Sequence, residues 1–460
     1  MSSAAKTFLE KADKISFDLE HRRKLNFNIK QYDKKVEHGK EQYQNLELAK
    51  ERASHLKWKV IENLDKYLIE FEANFIKRGG KVIWAQDAEE AVFEIMDILQ
   101  RNNARTVVKS KSMTTEEIHI NPKLEAAGIE PIETDLGEFI VQLRDEPPYH
   151  IVTPAMHLSK EDVAKTFNEV FNLPLSSTPA EITAWVRKRL REKYQLAEAG
   201  ITGANFIIAD SGAVAITENE GNALMSVAFP KIQITIAGIE KIIPSLNDVD
   251  LFWPLLSTHG TGQNMTVYNT ILSGPRQPGE TDGPEEMYVI LLDNGRTNLL
   301  AKEEQRQALS CIRCGACLNG CPVYKNVGGY TYGNVYSGPI GSVIAPHMNG
   351  MKEFKHLSYA SSLCGKCTEV CPVKIELHKL LLYNRRDSVN EDVVSTSEKW
   401  MYVVWKKAML KRETMNKGGA TAKNFLIQNF FKKAWGTRRV LPKIASKSFN
   451  EVWREKMGIK

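Results

Sequence analysis

The seven cysteines of this chain are the residues whose type and spacing most directly indicate chemistry. They fall in two short runs, and none lies elsewhere. The first run, CIRCGACLNGCP, places Cys311, Cys314, Cys317 and Cys321 ahead of a proline. This is the C-x2-C-x2-C-x3-C-P spacing of bacterial two-cluster ferredoxins, in which the fourth cysteine binds the other cluster. The run therefore predicts an iron–sulfur electron-transfer site.

The second run, SSLCGKCTEVCP, matches the first from its Cys-Pro end, except that Ser361 replaces one cysteine. If the last cysteine of each run binds the cluster that the other run holds, two sites are predicted. They are a four-thiolate site at Cys311, Cys314, Cys317 and Cys371, and a three-thiolate site at Cys321, Cys364 and Cys367. The first site predicts a [4Fe–4S] cluster. The second fits either [3Fe–4S] or a [4Fe–4S] cluster whose fourth iron takes Ser361, water or another ligand. Zinc is the alternative, but the paired runs exceed what one or two zinc ions need.

Polar segments upstream are the other candidates for binding or acid–base chemistry. Residues 109–117 lie where a strand ends and a helix begins, so free N–H groups there suit an anion such as a carboxylate. An ordinary capping box of Thr114 and Glu117 is favoured over that interpretation. Residues 209–212 and 217–222 contain carboxylates beside strands, although turn chemistry alone accounts for them and is favoured.

A histidine and a missing motif bear on catalysis. Residues 257–264 place His259 in a Gly-flanked loop, where it is a candidate acid, base or ligand. The chain contains neither G-x-G-x-x-G nor G-x-x-x-x-G-K-[ST]. A bound nicotinamide or flavin is therefore not indicated. Because iron–sulfur clusters do not accept a hydride, the acceptor for any alcohol oxidation is expected on another subunit.

The elements that must position these residues follow from the apolar patterning. Residues 4–78 read as long helices that end at Gly79-Gly80. Strands are expected at 81–84, 106–108, 129–132, 204–209, 213–217, 232–237 and 287–292, and helices at 88–100, from 115 and at 179–199. This alternation implies parallel βαβ units. A helical connector is expected at 302–310, with helices rather than strands between the Cys runs.

The domain division predicted from this pattern has four parts: an N-terminal helical region at 1–79, an α/β domain at 80–301, a two-cluster domain at 302–385 and a basic helical extension at 386–460. The chain's 460 residues carry a net charge of +6, but 16 Lys/Arg against 4 Asp/Glu lie from residue 393 onward. No apolar run is long enough to span a bilayer, and the N-terminus lacks a signal peptide, so a cytoplasmic protein is expected.

The two Cys runs follow KSKSMTTEE, ADSGAVAITENEGN and STHGTGQN in an order that closely resembles the lactate utilization protein B family. The resemblance covers almost the whole length and implies an α/β LUD domain, related in fold to sugar-phosphate isomerases and CoA transferases, then an all-α dicluster ferredoxin domain. It implies two [4Fe–4S] clusters on the same seven cysteines, the second with three of them. It also implies a role as electron transporter in a three-protein system that oxidises L-lactate to pyruvate.

Two functions from different classes remain open at this point. The chain is either an electron carrier among the subunits of a lactate-oxidising complex, or an enzyme subunit whose LUD domain binds and oxidises a small 2-hydroxy carboxylate. The absence of a hydride acceptor favours the carrier. The basic tail, with Trp400, Trp405, Trp435 and Trp453, suits a partner subunit or peripheral contact with an anionic membrane. No nucleic-acid reading motif is present, so nucleic acid is not an expected partner.

Overall fold

A computed structural model describes residues 2–436 and 440–459 of the chain. The chain forms two compact units, Met1–Ser388 and Val389–Lys460. Residues 1, 437–439 and 460, which belong to the predicted N-terminal and C-terminal helical regions, lie outside the described residues.

The long helices predicted over residues 4–78 are confirmed. Its helices are α1 (Ser3–Ser16), α2 (Leu19–Lys40), α3 (Leu46–Ile61) and α4 (Leu64–Lys77). The side chains of Ser2, Asp18 and Asn45 each accept a hydrogen bond from a backbone N–H in the first turn of the helix that follows. These caps explain where α1, α2 and α3 begin.

Ten strands are seen in the described residues, and they form two sheets. They are β1 (Lys81–Ala85), β2 (Thr106–Lys109), β3 (Glu130–Glu133), β4 (Ala199–Gly203), β5 (Phe206–Ile208), β6 (Ala213–Glu218), β7 (Ile232–Gly238), β8 (Ile242–Ile243), β9 (Tyr268–Leu272) and β10 (Glu286–Leu292). The larger sheet is parallel throughout, in the order β1-β10-β7-β4-β2-β3, with Lys81 opposite Tyr288 and Glu286 opposite Ile232. Every residue of β7 is buried, as expected for a central strand covered on both faces.

The smaller sheet has the order β8-β5-β6-β9 and is mixed. The helices of the α/β region are α5 (Ala88–Arg101), α6 (Met113–Glu117), α7 (Ile120–Ala126), α8 (Leu136–Leu143), α9 (Lys160–Phe171), α10 (Pro179–Leu196), α11 (Asn222–Ala228), α12 (Val249–Thr261) and α13 (Arg296–Leu300). The larger sheet, with these helices between its parallel strands, confirms the predicted parallel βαβ organisation.

Two predicted boundaries in this region were wrong. The helix expected from residue 115 is two short helices, α6 and α7, separated at His119, which has a positive φ of 50°. The helix expected over 179–199 ends at Leu196, and the next residues form the central strand β4, which the sequence pattern missed. Strand β4 is AGITG, whose small residues fit because a Cβ on Gly200 would lie 1.9 Å from the Ser226 carbonyl oxygen.

The segment with the cysteines is helical, as predicted. After a 3-10 turn at Gln305–Ser310, its helices are α14 (Ala316–Gly320), α15 (Tyr324–Val327), α16 (Gly338–Met348), α17 (Met351–Tyr359), α18 (Lys366–Glu369) and α19 (Leu377–Asn390). Its buried apolar residues share one hydrophobic core with those of α2, α12 and the smaller sheet. That shared core fixes the Cys runs against the α/β region.

The unit from Val389 onward consists of short helices: α20 (Thr396–Met409), α21 (Arg412–Asn416), α22 (Gly419–Leu426), a π-helical turn at Ile427–Phe431, α23 (Lys432–Trp435) and α24 (Phe449–Met457). The predicted break at Gly418-Gly419 is present, and further breaks occur on both sides of it. Trp400 and Trp405 are 65% and 59% exposed. No helix in the described part of the chain is both long and apolar enough to cross a membrane.

Candidate iron–sulfur centre and adjoining pocket

The first Cys run is shaped by two left-handed residues. Arg313 has a φ of +61° and Gly315 a φ of +80°, and Gly315 caps the start of α14, which carries Cys317. A Cβ on Gly315 would lie 3.0 Å from Val152 Cγ2 and 3.1 Å from His150 Cε1. Glycine is therefore required here both for its backbone conformation and because the segment with His150 and Val152 lies so close to it.

The second run repeats this local structure. Leu363 and Gly365 have φ values of +53° and +81°, and Gly365 caps the start of α18, which carries Cys367. Helices α14 and α18 contact each other. The two runs are thus structural as well as sequence repeats, packed side by side.

Four cysteines line a single apolar cavity. They are Cys311, Cys314, Cys317 and Cys371, and the rest of the lining is mainly Ile, Val and Leu side chains. Cys314, Cys317 and Cys371 are buried, and Cys311 is half-buried. Burial is the largest cause that raises the pKa of these buried thiols, to about 12 for Cys371. A bound metal would displace their protons, and thiolates in an apolar shell are the donor set of iron–sulfur clusters. The four thiols and their apolar surroundings therefore fit the ligand set of such a cluster.

The other three cysteines form a second group. Burial raises the pKa of Cys367 to about 11, and the neighbouring thiols of Cys321 and Cys364 contribute to the rise. Cys321 is half-buried, whereas Cys364 is exposed. Cys364 therefore makes this group more exposed than the first, whose most accessible cysteine, Cys311, is half-buried.

Backbone N–H groups point at the sulfurs of both groups. Arg313 N donates to Cys311 Sγ at 3.4 Å, Ile375 N to Cys371 Sγ at 3.3 Å, and Tyr324 N to Cys321 Sγ at 3.5 Å. Such bonds to cluster sulfurs are one of the means by which a protein sets the reduction potential.

Ser361 occupies the position that Cys311 has in the first run. Its Oγ accepts a hydrogen bond from Leu363 N at 3.2 Å, the same contact between residues two apart that joins Cys311 Sγ to Arg313 N. The hydroxyl therefore lies in the turn that would present a fourth ligand to the three-thiolate group.

A polar pocket of about 380 Å³ lies directly beside the four-cysteine cavity. It opens at the carboxyl ends of β2, β3, β4 and β7, the position at which parallel α/β sheets bind ligands. Its charged lining consists of three cations and three carboxylates: Lys111, Lys241, Arg313, Asp135, Glu218 and Glu220. Cys314 also lines it and connects the pocket to the first Cys run. The predicted segments 109–117 and 217–222 both contribute to this pocket, as do Ser257 and Thr261 from the predicted segment 257–264.

The remaining predicted segment is not part of the pocket. Residues 209–212 form the turn between β5 and β6, where Asp210 Oδ1 accepts a hydrogen bond from Leu246 N at 3.0 Å. Turn chemistry, the favoured interpretation, accounts for this segment.

The cap predicted for α6 was misplaced. Ser112, not Thr114, caps the helix, its Oγ accepting from Thr115 N at 3.3 Å. Glu117 instead forms a bidentate ion pair with Arg296, with both N–O distances at 2.9 Å. A buried guanidinium competes for that carboxylate more strongly than a backbone N–H does.

The predicted loop around His259 is wrong, because the residue lies within helix α12. Its ring is buried and its Nδ1 donates to Leu255 O at 2.9 Å. Burial lowers the pKa of His259 to about 4, so the ring is neutral. Helix α12 ends at Thr261, and Gly262, with a φ of +77°, caps it. A Cβ on Gly260 would lie 3.2 Å from the Cys314 carbonyl oxygen, so this part of the helix lies close to the Cys run.

Three residues that sequence analysis missed pack at the first Cys run: the buried His150 and Tyr336 and the half-buried Arg313. His150 Nδ1 accepts from Val152 N at 3.1 Å and Thr153 N at 3.3 Å, which orients the ring against Gly315. The guanidinium of Arg313 lies over the Tyr336 ring at 4.3 Å. The sequence does mark Arg313, because a charged residue stands in the first Cys run at the position where the second run has the apolar Leu363.

Comparisons with known proteins agree with this architecture. The LUD domain family matches residues 68–292, and the 4Fe-4S dicluster domain family matches residues 307–375. Lactate utilization protein B of Geobacillus sp. (strain WCH70) is 48% identical over 357 residues, 75% of each chain. The protein of the same name from Bacillus subtilis (strain 168) is 47% identical over 357 residues, 75% of this chain and 74% of that one.

One solved structure, a duf162 family protein from Deinococcus radiodurans, covers 50% of this chain and 98% of its own at 14% identity, with a TM-score of 0.28 that is too low to compare folds. The sequence relatives carry the assignment. This chain belongs to the lactate utilization protein B family, with a LUD domain of parallel-sheet α/β fold and a dicluster domain of ferredoxin type that holds iron–sulfur clusters.

Proposed function

We propose that this protein is the iron–sulfur electron-transfer component of a lactate utilization system, in which it passes electrons from a partner subunit to an acceptor. One observation carries the proposal: two groups of cysteines lie side by side, one mostly buried and one exposed at Cys364. A buried cluster next to an exposed one forms a relay with a contact point for a partner.

The proposed ligands follow the two groups. Cys311, Cys314, Cys317 and Cys371 hold the first [4Fe–4S] cluster, and Cys321, Cys364 and Cys367 hold the second. The second is a [4Fe–4S] cluster if Ser361 or solvent completes it and a [3Fe–4S] cluster if nothing does. The buried Tyr332 ring lies near one cysteine of each group, Cys317 and Cys321.

The domain division belongs to the same proposal: a helical region at 1–79, the LUD domain at 80–301 with its kinship to sugar-phosphate isomerases and CoA transferases, an all-α dicluster domain at 302–385 and the extension at 386–460. The partners proposed are the other subunits of the lactate-oxidising system. The basic, aromatic extension is the proposed docking surface for a subunit or for an anionic membrane from the cytoplasmic side.

Matched cysteine variants test the relay. Full-length protein is prepared anaerobically, and its iron, sulfide and EPR spectra are measured for wild type, Cys371→Ser and Cys364→Ser. The expected result is the loss or conversion of a different EPR signal in each variant, with the other signal retained. If both variants lose the same signal, the ligand sets are wrong. If wild type binds about one or two zinc ions instead, the function itself is wrong.

A second candidate function is favoured by the pocket that reaches Cys314. In that case the LUD domain oxidises a 2-hydroxy acid itself and the clusters accept the electrons. Addition of L-lactate to the isolated, oxidised chain under argon separates the two functions. Bleaching of the cluster absorbance without any partner protein would refute the carrier, and unchanged absorbance would refute the enzyme.

A further inference from the structure

A lysine of helix α3 is fully buried close to the first Cys run. Lys57 is 1% exposed, and its Nζ donates to the backbone carbonyls of Glu240 at 2.6 Å and Ile242 at 3.1 Å. Helix α3 contacts the 3-10 turn Gln305–Ser310, which ends immediately before Cys311. Burial of an ammonium group that only neutral carbonyls bind is costly, so this lysine calls for a role beyond packing.

Two more cations lie at the same place. Arg313 N donates to Cys311 Sγ at 3.4 Å, and the guanidinium lies 4.3 Å from the centre of the Tyr336 ring. Its Nη2 donates to Glu240 Oε1 at 3.2 Å, whereas its Nε and Nη1 are buried without a hydrogen-bond partner in the described structure. Lys241 stands between the two residues whose carbonyls bind the α3 lysine. Three cations from three segments of the chain therefore meet beside Cys311.

The sulfur of Cys311 interacts electrostatically with all three cations. Burial lowers the pKa of Lys57 to about 7 and that of Lys241 to about 8, and for both residues Cys311 is among the groups that oppose the decrease. Burial also disfavours the charge of Arg313, yet its pKa is raised, and Cys311 is the group that contributes most to the rise. A thiolate at Cys311 thus stabilises the positive charge of each of its three neighbours.

The buried carboxylates of this region are already shared between arginines. Glu240 accepts from Arg296 Nε at 2.5 Å and from Arg313, and Arg296 also forms the bidentate pair with Glu117. Although burial opposes it, Arg296 and Arg313 lower the pKa of Glu240 to about 2, so this carboxylate is ionised. Two arginines and two glutamates balance each other. The two lysines are additional positive charges.

The carboxylates of the polar pocket bind other groups. Asp135 accepts from a backbone N–H in the first turn of α8 at 3.0 Å, and Glu218 accepts from two N–H groups of α11 at 2.7 and 2.8 Å. Glu220 accepts from Asn219 N at 3.3 Å. Within the described structure, none of these three carboxylates forms a hydrogen bond or ion pair with the three cations beside Cys311. The field at that sulfur is therefore set mainly by its nearest charges, which are positive.

The second cysteine group has different surroundings. Leu363 stands where the first run has Arg313, with φ values of +53° and +61° for the two residues, so an apolar side chain satisfies this turn. Burial raises the pKa of Cys321, and the cation that opposes the rise is Lys325, which is paired with Asp33 at 3.4 Å. The arginine of the first run is therefore not required by the backbone. Its charge has another purpose.

We propose that Lys57, Lys241 and Arg313 set the reduction potential of the first cluster, because their positive charge stabilises its reduced form. When the cluster accepts one electron from a donor, no bond changes and its charge becomes more negative by one unit. An enclosed apolar site alone disfavours that added charge, whereas nearby cations in a low-dielectric interior favour it. The inference rests on the proposed function for the clusters themselves. It goes further by naming the residues that allow the buried cluster to hold the electron.

The test is a redox titration of the full-length, anaerobically prepared protein, followed by EPR, which measures the midpoint potential of each cluster separately. Arg313→Leu should lower the midpoint of the first cluster. At a fixed potential its ratio of reduced to oxidised form should fall about tenfold, which is about 59 mV for one electron. Lys57→Met and Lys241→Met should shift it in the same direction, and Arg313→Lys, which retains the charge, should restore most of the loss.

The matched control is Lys325→Met, which removes a cation beside the second group and should leave the first cluster at its wild-type potential. Iron and sulfide are counted in each variant, so that a lost cluster is distinguished from a shifted one. Leucine fits the turn, as Leu363 shows. If Arg313→Leu nevertheless loses the first cluster, the two lysine variants decide, since both lie outside the Cys run.

Three outcomes would overturn the inference. The first is a first-cluster potential that stays at the wild-type value in the variants that lose a charge. The second is an equal shift of both clusters, which would indicate a general change in the protein. The third is Arg313→Lys that behaves as Arg313→Leu does, which would exclude charge as the cause. Failure of the proposed function would look different, because wild type itself would then lack two redox-active clusters.

Discussion

Replacement of Gly315 by alanine should harm the protein more than the same replacement at its repeat, Gly365. Both have a left-handed φ, +80° and +81°, which costs alanine about 1–2 kcal/mol. Only at Gly315 would the new Cβ lie 3.0–3.1 Å from the side chains of Val152 and His150; at Gly365 nothing lies within 4 Å. Overpacking of that kind adds about 1–3 kcal/mol. We therefore expect about 1–2 kcal/mol of destabilisation for Gly365→Ala and about 2–5 kcal/mol for Gly315→Ala.

The assay is urea unfolding of the cluster-loaded proteins under anaerobic conditions, followed by circular dichroism, with iron retention measured in parallel. Because both substitutions reduce unfolded-state entropy equally, that contribution cancels between them. Gly315→Ala should also lose iron faster from the first cluster. Equal destabilisation of the two variants would refute the close approach of residues 150–152 to the first Cys run.

Three further results are expected. Arg296→Met should cost about 3–5 kcal/mol, because two buried glutamates lose their shared partner, whereas Arg276→Met at an exposed pair should cost under about 1 kcal/mol; equal costs in chemical denaturation would contradict the buried network. Because burial lowers the pKa of His259 to about 4, the unfolded chain binds a proton at this histidine at a higher pH than the folded chain does. Up to about 3 kcal/mol of stability should therefore be present above pH 6.5 and be lost as the pH falls towards 4. His259→Gln should flatten that pH dependence of stability, and an unchanged profile would argue against burial of the ring. Ser361→Cys should place a thiol as Cys311 is placed and should raise resistance of the second cluster to oxidative iron loss; unchanged iron loss would mean that the side chain points elsewhere.

The cysteine groups could be predicted because ligand spacing is a local property. Three thiols two residues apart can reach one cluster, and the proline after the fourth sends it to another, so neighbouring residues specify the pattern. The helical N-terminal region and the parallel βαβ units were predictable for a similar reason, since periodicity is read over short windows. Whether the thiols act as ligands stays a prediction.

The pocket was only partly predictable, because it depends on contacts between distant segments. Segments 109–117 and 217–222 were recognised as polar, yet nothing local placed them beside Arg313 or Lys241. His259 was assigned to a loop because Gly260 and Gly262 resemble loop residues. Packing of α12 on the Cys run overrides the weak helix propensity of Gly260. Strand β4 was missed because its small residues follow a long helix without a break.

The most direct test of the central claim is an EPR-monitored redox titration of the anaerobically prepared full chain, with its iron counted. The relay predicts two distinct one-electron steps and about seven irons for [4Fe–4S] with [3Fe–4S], or about eight for two [4Fe–4S] clusters. A chain with a single step, no step, or only one or two tightly bound metal ions would contradict the claim that its seven cysteines form a two-cluster electron relay.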